Sequence, residues 1–315
     1  MEFSKRMELF QESIFTILAK KAALRRENGK EVIDFSTGTP NIPPTKRIRE
    51  VLANAALDPK NYVYAINDLT ELIKAVIAWY KKRYEVILED DEICSLLGSQ
   101  EGLAHLAMTL INDSDIVLVP NPSYPIFKDG PLLANANIVD MPLKEENNYL
   151  IDFDKIDPTI AKKAKFMIVS YPNNPTCAIA NDKFYLRLID FAKKYQIIVL
   201  HDNAYSELLF EGLGRSFLSY PGAKDVGIEF NSLSKTYGLA GARIGFAVGN
   251  KAVGLYDMGC LAAVEQHTGT ACIIVDAVSA FRIISLFNPV LNPLSGFDKA
   301  FILKGGVSCP VKRIQ

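Results

Sequence analysis

One lysine stands out because of the residues around it. Lys235 ends the run Ser-Leu-Ser-Lys, directly after an apolar stretch that reads as a buried strand. Burial disfavours the ammonium form, so it lowers the pKa of a lysine and leaves an amine that can form a Schiff base with an aldehyde. A lone lysine in a turn is more often a surface charge, so the neighbouring residues must decide between the two interpretations.

Groups that suit a phosphate flank this lysine. Ser232 lies three residues before Lys235, and Arg243 lies eight residues after it. A hydroxyl can donate one hydrogen bond to a phosphate dianion, and a guanidinium can donate two. The run GSQEG, residues 98–102, places small residues before a predicted helix, whose N-terminal amides favour an anion. By itself GSQEG is more typical of an ordinary strand–helix turn.

An acidic residue ends another apolar run. A carboxylate at Asp202, after IIVLH, is costly to bury unless it is paired. A protonated ring nitrogen would be a fitting partner, and the alternative is that Asp202 caps the next helix. The amide of an Asn in YPNNPT and the hydroxyl of Tyr205 could both donate to a phenolate oxygen. Tyr124 in NPSYP could stack on a flat ring or pack at the rim. Together these groups describe one ligand, pyridoxal 5'-phosphate.

The elements that must position these residues alternate along the chain. Apolar runs that read as strands are separated by helical patterns, with helices predicted over 4–28, 44–56, 68–84 and 181–195 and a short strand within 31–35. This alternation predicts a mostly parallel sheet covered by helices on both faces. Ligands of such sheets bind outside the carboxyl ends of the strands. Five polar clusters follow apolar runs and should therefore converge there: GSQEG, NPSYP, YPNNPT, HDNAY and SLSK.

Composition excludes several classes of protein. The 315 residues are 49% hydrophobic and 23% charged with a formal charge of -1, which disfavours a nucleic-acid binder and a polybasic membrane anchor. Five scattered cysteines without a CxxC pair indicate neither a disulfide framework nor a zinc site. No apolar stretch approaches the roughly 20 residues that span a bilayer. We therefore expect a cytoplasmic protein that binds neither nucleic acid nor membrane.

The run SLSKTYGLAGARIGFAVGN resembles the lysine signature of the fold type I, class I/II aminotransferases, which depend on pyridoxal phosphate. GSQEG, YPNNPT and HDNAY are similar to the other cofactor motifs of that family, in the same order, and look most like those of the LL-diaminopimelate aminotransferases. The resemblance covers about residues 1–253. It implies an aspartate aminotransferase-like α/β fold with a seven-stranded sheet, an N-terminal helix and arm at 1–45 and a large cofactor-binding domain at 46–253.

The resemblance also implies roles for the matching residues. Lys235, Asp202 and Tyr205 are the predicted catalytic residues, since Lys235 would form the Schiff base and transfer the substrate proton while Asp202 keeps the ring nitrogen protonated. The other predicted contacts are Asn174 and Tyr205 with the phenolic oxygen, Ser99, Gln100, Ser232 and Arg243 with the phosphate, Tyr124 with the ring face, Gly38 and Asn174 with the substrate, and Tyr64 with the phosphate of a neighbouring subunit. A homodimer with shared sites follows from the last contact.

The function implied is transfer of an amino group between an amino acid, LL-diaminopimelate or glutamate, and a 2-oxo acid in lysine biosynthesis. A C–S β-lyase of the same fold is an alternative, and a truncated fragment that binds the cofactor without activity is another. From about Gly254 the chain stops matching the family, so residues 254–315 are predicted to be an atypical tail in place of the small domain. A reading-frame change near residue 253 would produce such a tail.

Two further departures concern single residues. Family members clamp the substrate carboxylate with a second arginine, yet Arg282 and Arg313 are the only arginines after Arg243 and neither has a matching context. Cys177 stands where the family has a glycine after Asn-Asn-Pro-Thr. If the backbone at Cys177 must adopt a positive φ, the cysteine costs on the order of 1 kcal/mol.

Overall fold

The computed structural model describes residues 4–36, 38–63 and 68–249. Seven strands form a single sheet within these residues: β1 Ile93–Leu96, β2 Ile116–Asn121, β3 Asn137–Pro142, β4 Ala164–Ser170, β5 Ile198–Asp202, β6 Gly227–Ser232 and β7 Gly245–Gly249. Their order is β1-β7-β6-β5-β4-β2-β3. β2 to β6 are mutually parallel, and β7 runs antiparallel to β1 and β6. The predicted mostly parallel seven-stranded sheet is confirmed.

Helices connect the strands and cover the sheet. The described residues form α1 Ile14–Glu27, α2 Lys46–Leu57, α3 Thr70–Tyr84, α4 Ser99–Leu110, α5 Ile126–Leu133, α6 Pro158–Ala161, α7 Asp182–Tyr195 and α8 Leu233–Thr236. Within this part of the chain, no helix combines the length and the apolar character that crossing a membrane requires.

The central strand β4 explains why both faces of the sheet are covered. Phe166 and Ile168 belong to a core cluster with Leu103 of α4, whereas Met167 belongs to a second cluster with Leu188 of α7. Successive side chains of a strand point to opposite faces, so a strand that is apolar at every position needs cover on both. All five of these side chains are buried.

Helix α7 shows how the sequence sets the bounds of a covering helix. Asn181 caps it, its side chain accepting a hydrogen bond from the backbone N–H of Phe184 at 3.0 Å. Phe184, Leu188 and Ala192 recur at four-residue intervals and are buried against the sheet. The helix ends at Gln196, whose backbone is left-handed with φ 57°. The helix predicted here is confirmed and begins one residue later than predicted.

The N-terminal residues differ from the prediction in two respects. The predicted single helix over 4–28 is divided into a short 3-10 helix, Lys5–Leu9, and α1, because Phe10 between them is extended with ψ 134°. The short strand predicted within 31–35 is wrong, since no described strand lies beside this segment to complete its hydrogen bonds and Phe35 is 91% exposed.

Two elements have no clear signal in the sequence pattern. Helix α5 contains Gly130 and Pro131, residue types that disfavour a helix interior. Strand β3 is an edge strand in which only Met141 is buried, so it lacks the continuous apolar run of the central strands. Both elements are therefore set by their packing against the rest of the sheet.

Candidate cofactor site

The polar clusters meet at one edge of the sheet, as predicted. β1, β2, β4, β5 and β6 all point the same way, because β1 and β6 are each antiparallel to β7 while the others are parallel to β6. The clusters GSQEG, NPSYP, YPNNPT, HDNAY and SLSK lie at or directly after the carboxyl ends of these five strands. The edge therefore collects an acid, an amine, a guanidinium and several hydroxyl and amide groups.

Asp202 is a buried acid with few partners. It is the last residue of β5, is 6% exposed, and accepts one hydrogen bond, from the backbone N–H of Ala204 at 3.2 Å. Burial raises the pKa of Asp202 to about 6. No cationic side chain of the described residues forms an ion pair with it. The residues that follow form turns and no helix, so the alternative interpretation of Asp202 as a helix cap is wrong.

Lys235 is half-buried on the same edge. It lies in α8, one turn beyond the end of β6, and its Nζ donates to the backbone carbonyl of Gly38 at 2.6 Å. The ammonium is 5.8 Å from the ring centroid of Tyr205. Burial lowers the pKa of Lys235. The alternative of a freely exposed surface lysine does not agree with this position.

Asn174 and Tyr205 form a hydrogen-bonded pair of polar groups on the same edge. The amide Nδ2 of Asn174 donates to the hydroxyl of Tyr205 at 3.3 Å. Burial is the main cause that raises the pKa of Tyr205, and the charge of Asp202 raises it further. The phenol is therefore protonated at neutral pH and can donate a hydrogen bond to an anionic oxygen.

Tyr124 forms one wall of the same edge. Its hydroxyl accepts a hydrogen bond from the side-chain amide of Gln100, and its ring packs edge-on against Phe127 with 6.2 Å between centroids. Burial raises the pKa of Tyr124; Asp202 raises it further and Arg243 lowers it. The hydroxyl of Tyr124 therefore lies beside Gln100, in the first turn of α4.

Arg243 lies over the N-terminus of α4. A Cβ added to Gly98, the residue that precedes α4, would come within 2.5 Å of Nη2 of Arg243, so only glycine leaves room for this approach. Gly98 has φ 98°, a conformation that other residues rarely adopt. The guanidinium donates to the carbonyls of Leu97 and Ala240 at 3.1 and 3.2 Å. No carboxylate of the described residues pairs with it.

Ser232 and Ser99 complete this end of the site. Ser232 ends β6 opposite Gly245 of β7, and a Cβ on Gly245 would come within 2.8 Å of the backbone nitrogen of Ser99. The Ser232 hydroxyl accepts from the backbone N–H of Ser234 at 3.2 Å, which leaves its own O–H free to donate to a ligand. The helix N-terminus, the hydroxyl and the guanidinium are thus brought together by two glycines.

These residues fit pyridoxal phosphate on three observations. The guanidinium of Arg243 carries a charge that no described carboxylate neutralises, beside helix N–H groups that favour an anion. The carboxyl of Asp202 is buried, and no cationic side chain of the described residues pairs with it. The amine of Lys235 is partly shielded from water and has a lowered pKa. A phosphate, a ring nitrogen and an aldehyde are the complementary groups.

The remaining predicted residues have different outcomes. Gly38 lies beside Lys235, where its carbonyl accepts the lysine hydrogen bond, so its predicted contact with the substrate stays a prediction. Tyr64 and the tail over 254–315 lie outside the described residues. The predicted roles of the other site residues also stay predictions, although the structure brings those residues to one edge.

Cys177 has the backbone conformation that would favour glycine. Its φ is 59°, in the left-handed region, and its N–H donates to the carbonyl of Asn173 at 2.8 Å to close the turn. The thiol is exposed. The backbone at Cys177 therefore does adopt a positive φ, the condition under which a cysteine here costs on the order of 1 kcal/mol.

Glu229 belongs to none of the motifs that mark the site in the sequence. This residue lies between Ile228 and Phe230 in β6 and is completely buried directly behind the site. The signal was available, because a charged residue inside an apolar strand is buried only with hydrogen-bonding partners.

Comparison with known proteins identifies the family. The sequence pattern of aminotransferase class I and II matches residues 30–286. The chain belongs to this family. Enzymes of the aminotransferase class I and II family depend on pyridoxal phosphate, which agrees with the cofactor expected from the sequence.

Individual relatives agree with this assignment. An LL-diaminopimelate aminotransferase from Aquifex aeolicus is 45% identical over 254 residues, which are 79% of this chain and 65% of that protein. Among solved structures, substrate-bound BacF from Bacillus subtilis is 37% identical with a TM-score of 0.79, over 83% of this chain and 67% of BacF. The chain thus spans slightly under two thirds of the length of the Aquifex relative.

A more distant relative bears on the fold alone. A variant of Thermus thermophilus aspartate aminotransferase superimposes with a TM-score of 0.78 at 20% identity, over 90% of this chain and 76% of that one. The aspartate aminotransferase-like fold expected for this class I and II family member is therefore confirmed.

Proposed function

We propose that the chain is a pyridoxal phosphate-dependent aminotransferase that moves an amino group between an amino acid and a 2-oxo acid. The observation that supports this most directly is that a half-buried amine, a buried acid and an unneutralised guanidinium lie on one edge of the sheet. Lys235, Asp202 and Arg243 supply these three groups. Among the residues that the structure describes, none of the three has the charged partner that a purely structural role would provide.

The cofactor would be held at three points. Asp202 pairs with the ring nitrogen, and Asn174 and Tyr205, which are hydrogen-bonded to each other, donate to the phenolic oxygen. The phosphate is bound by the residues at the N-terminus of α4 and beside it, namely Ser99, Gln100, Ser232 and Arg243. Tyr124 packs against the ring. When bound, the cofactor supplies an electron-poor ring that accepts the electron pair left when the substrate Cα loses its proton.

Lys235 has two tasks in this proposal. Its Nζ would hold the cofactor at the aldehyde carbon, a bond that frees the lysine amine when a substrate amine exchanges with it. The released amine lies beside the Tyr205 ring and takes the proton from the substrate Cα. Because burial lowers the pKa of Lys235, a larger fraction of the amine is neutral and able to accept a proton near neutral pH.

The substrate and the assembly are inferred from the relatives. LL-diaminopimelate aminotransferases match 79% of this chain, so we infer that LL-diaminopimelate and tetrahydrodipicolinate exchange an amino group with glutamate and 2-oxoglutarate in the cytoplasm. The backbone at Gly38 contacts the substrate. A homodimer completes each site with Tyr64 from the neighbouring subunit. The large domain spans residues 46–253, after an N-terminal helix and arm.

The test separates cofactor binding from amino transfer. Wild-type protein and Lys235→Ala are purified with pyridoxal phosphate, and their visible spectra are recorded after dialysis. The wild-type protein should keep a visible band of the lysine-linked cofactor that Lys235→Ala lacks. A wild-type protein without such a band refutes the proposal.

Glutamate is then added to the wild-type protein with 2-oxoglutarate absent. Amino transfer to the cofactor converts the visible band to that of pyridoxamine phosphate and releases one equivalent of 2-oxoglutarate. A band that persists unchanged with glutamate and with LL-diaminopimelate excludes the transferase and leaves cofactor binding as the activity. Release of a thiol from a cysteine conjugate would instead indicate a C–S β-lyase.

A further inference from the structure

A second buried acid lies on the opposite face of the sheet from the proposed cofactor site. Glu229 of β6 is completely buried, on the face of the sheet that α3 and α7 cover. The mechanism above does not use this residue. A buried carboxylate is costly unless hydrogen bonds compensate it, so its partners indicate what it does.

Four donors saturate the Glu229 carboxylate. Oε1 accepts from the hydroxyls of Tyr80 and Ser216, both at 2.8 Å. Oε2 accepts from the backbone N–H of Phe217 at 2.7 Å and lies 3.0 Å from Nδ1 of His201. Burial and the carboxylate itself raise the pKa of Tyr80, so this phenol remains a donor. We name the carboxylate and these four donors the rear clamp.

The rear clamp holds the strand end that carries Asp202. His201 pairs with Glu229 in the register of β5 and β6, and Asp202 is the next residue. Alternation along the strand directs His201 to the rear face and Asp202 to the site face. Nε2 of His201 also meets the hydroxyl of Tyr185 at 3.3 Å, so both ring nitrogens are fixed. Within the described part of the chain, Asp202 itself has only the N–H of Ala204 as a partner.

We propose that Glu229 is a positioning residue for the cofactor site, which fixes His201 from behind so that the carboxylate of Asp202 stays at the point where it meets the ring nitrogen. This inference rests on the proposed function. A carboxylate with a single hydrogen bond of its own depends on its backbone for position, and the rear clamp is what immobilises that backbone. A glutamine at 229 removes the negative charge, and its NH₂ group fits beside Tyr80 and Ser216 only if both hydroxyls turn from donors into acceptors, so it weakens the rear clamp.

The test compares two ligands that differ only at the ring nitrogen. Dissociation constants for pyridoxal phosphate and for its 1-deaza analogue, which has C–H in place of that nitrogen, are measured by equilibrium dialysis with full-length wild-type protein, Glu229→Gln and Tyr220→Phe. The ratio of the two constants reports the Asp202 contact alone. Tyr220→Phe removes a hydrogen bond to Asp182 in the same cluster without touching the rear clamp, so it controls for general loosening.

The wild-type protein should prefer pyridoxal phosphate, and Glu229→Gln should reduce that preference by about tenfold, which corresponds to about 1.4 kcal/mol of binding free energy. Tyr220→Phe should leave the ratio unchanged. An equal loss of affinity for both ligands in Glu229→Gln would mean a structural role only and would overturn the proposal, as would an unchanged ratio.

Two further measurements keep the outcome decisive. If Glu229→Gln does not fold, His201→Leu replaces it, because it leaves Glu229 with its three other donors and should reduce the ratio in the same direction; an unchanged ratio there refutes the inference. Wild-type protein that binds both ligands equally refutes the Asp202 contact and this inference together, while its visible band still supports Lys235. Wild-type protein that binds neither ligand refutes the proposed function itself.

Discussion

Near the end of β5, the buried carboxyl groups on the two faces of the sheet differ in the number of hydrogen bonds that they accept. On the rear face, Glu229 receives four hydrogen bonds between 2.7 and 3.0 Å. On the site face, Asp202 receives one, at 3.2 Å. Both carboxyls are buried, so the difference lies in their partners. A saturated group can only position its neighbours, whereas a buried group with vacant hydrogen-bonding capacity has room for a ligand.

Cations show the same contrast. Lys224 pairs with Glu92 at 2.6 Å, but Lys235 and Arg243 donate only to backbone carbonyls among their described hydrogen bonds. Carbonyl oxygens hold these side chains in place and leave their charges uncompensated. An anionic ligand would compensate these charges. The charged groups of the site face therefore need a ligand as their partner, whereas those of the rear face are paired within the protein.

The largest effect should come from removing the amine on the site face. Lys235→Ala eliminates both the group that binds the cofactor and the proposed proton acceptor, so the rate of amino transfer should fall by roughly 10⁴-fold, the upper end of general acid–base contributions. The rate is measured as 2-oxoglutarate formed from glutamate. The exposed Lys162→Ala is the control and should leave the rate unchanged. A Lys235→Ala variant within tenfold of the wild-type rate would remove the basis for treating the site face as catalytic.

The second effect concerns the rear face. Glu229→Ala leaves the donors of Tyr80, Ser216 and Phe217 buried without an acceptor, which should lower the free energy of unfolding by about 3–5 kcal/mol. Urea unfolding of the protein without cofactor measures this loss. A loss below about 1 kcal/mol would contradict the view that the rear clamp supports the fold.

The third substitution, on the site face, should increase the free energy of unfolding instead of lowering it. Asp202→Asn removes a carboxyl whose pKa burial raises from 3.8 to about 6, so the variant without cofactor should be more stable at pH 7, by about 3 kcal/mol. Cofactor affinity should fall at the same time. Urea unfolding and equilibrium dialysis on the same sample give both quantities.

The pH dependence of this third effect follows from the direction of the shift. The folded state binds the Asp202 proton more tightly than the unfolded state, so stability decreases as pH rises from about 4 to about 6 and stays lower above that. Asp202→Asn should therefore gain nothing at pH 3 and show its full gain above pH 6. A gain that does not change with pH would have another cause.

The sequence predicts the site face better than the rear face, and the reason is physical. Lys235, Asp202 and Arg243 follow apolar runs, and the carboxyl ends of parallel strands meet at one edge whatever the details of packing. The role of Glu229 depends on the hydrogen bonds that it accepts from Tyr80 and Ser216, which belong to other segments of the chain. Only the folded structure brings those donors together, so a single sequence gives no more than the anomaly of a charge inside a strand.

Contacts between neighbouring residues can be predicted from the sequence, whereas contacts between distant residues cannot. The cap of α7 at Asn181 could be predicted because it depends on residues next to one another. The approach of Arg243 to Gly98 could not, since it joins positions far apart in the chain. The strand wrongly predicted within 31–35 is a further case, because its apolar residues suit a strand while no described neighbour is available to pair with it.

The smallest effect tests whether the site face also tolerates backbone strain. Cys177 has φ 59° and closes the turn that contains Asn174, a predicted site residue. Cys177→Gly relieves the left-handed strain, but glycine also gains entropy in the unfolded chain, so the net gain in unfolding free energy should be about 0.5–1 kcal/mol. Cys177→Ala keeps the Cβ and its strain and should change stability little, which isolates the backbone term from the loss of the thiol. Thermal unfolding without cofactor compares the three proteins; equal stabilisation by glycine and alanine would assign the effect to the thiol, and the site face would then carry no measurable strain at this turn.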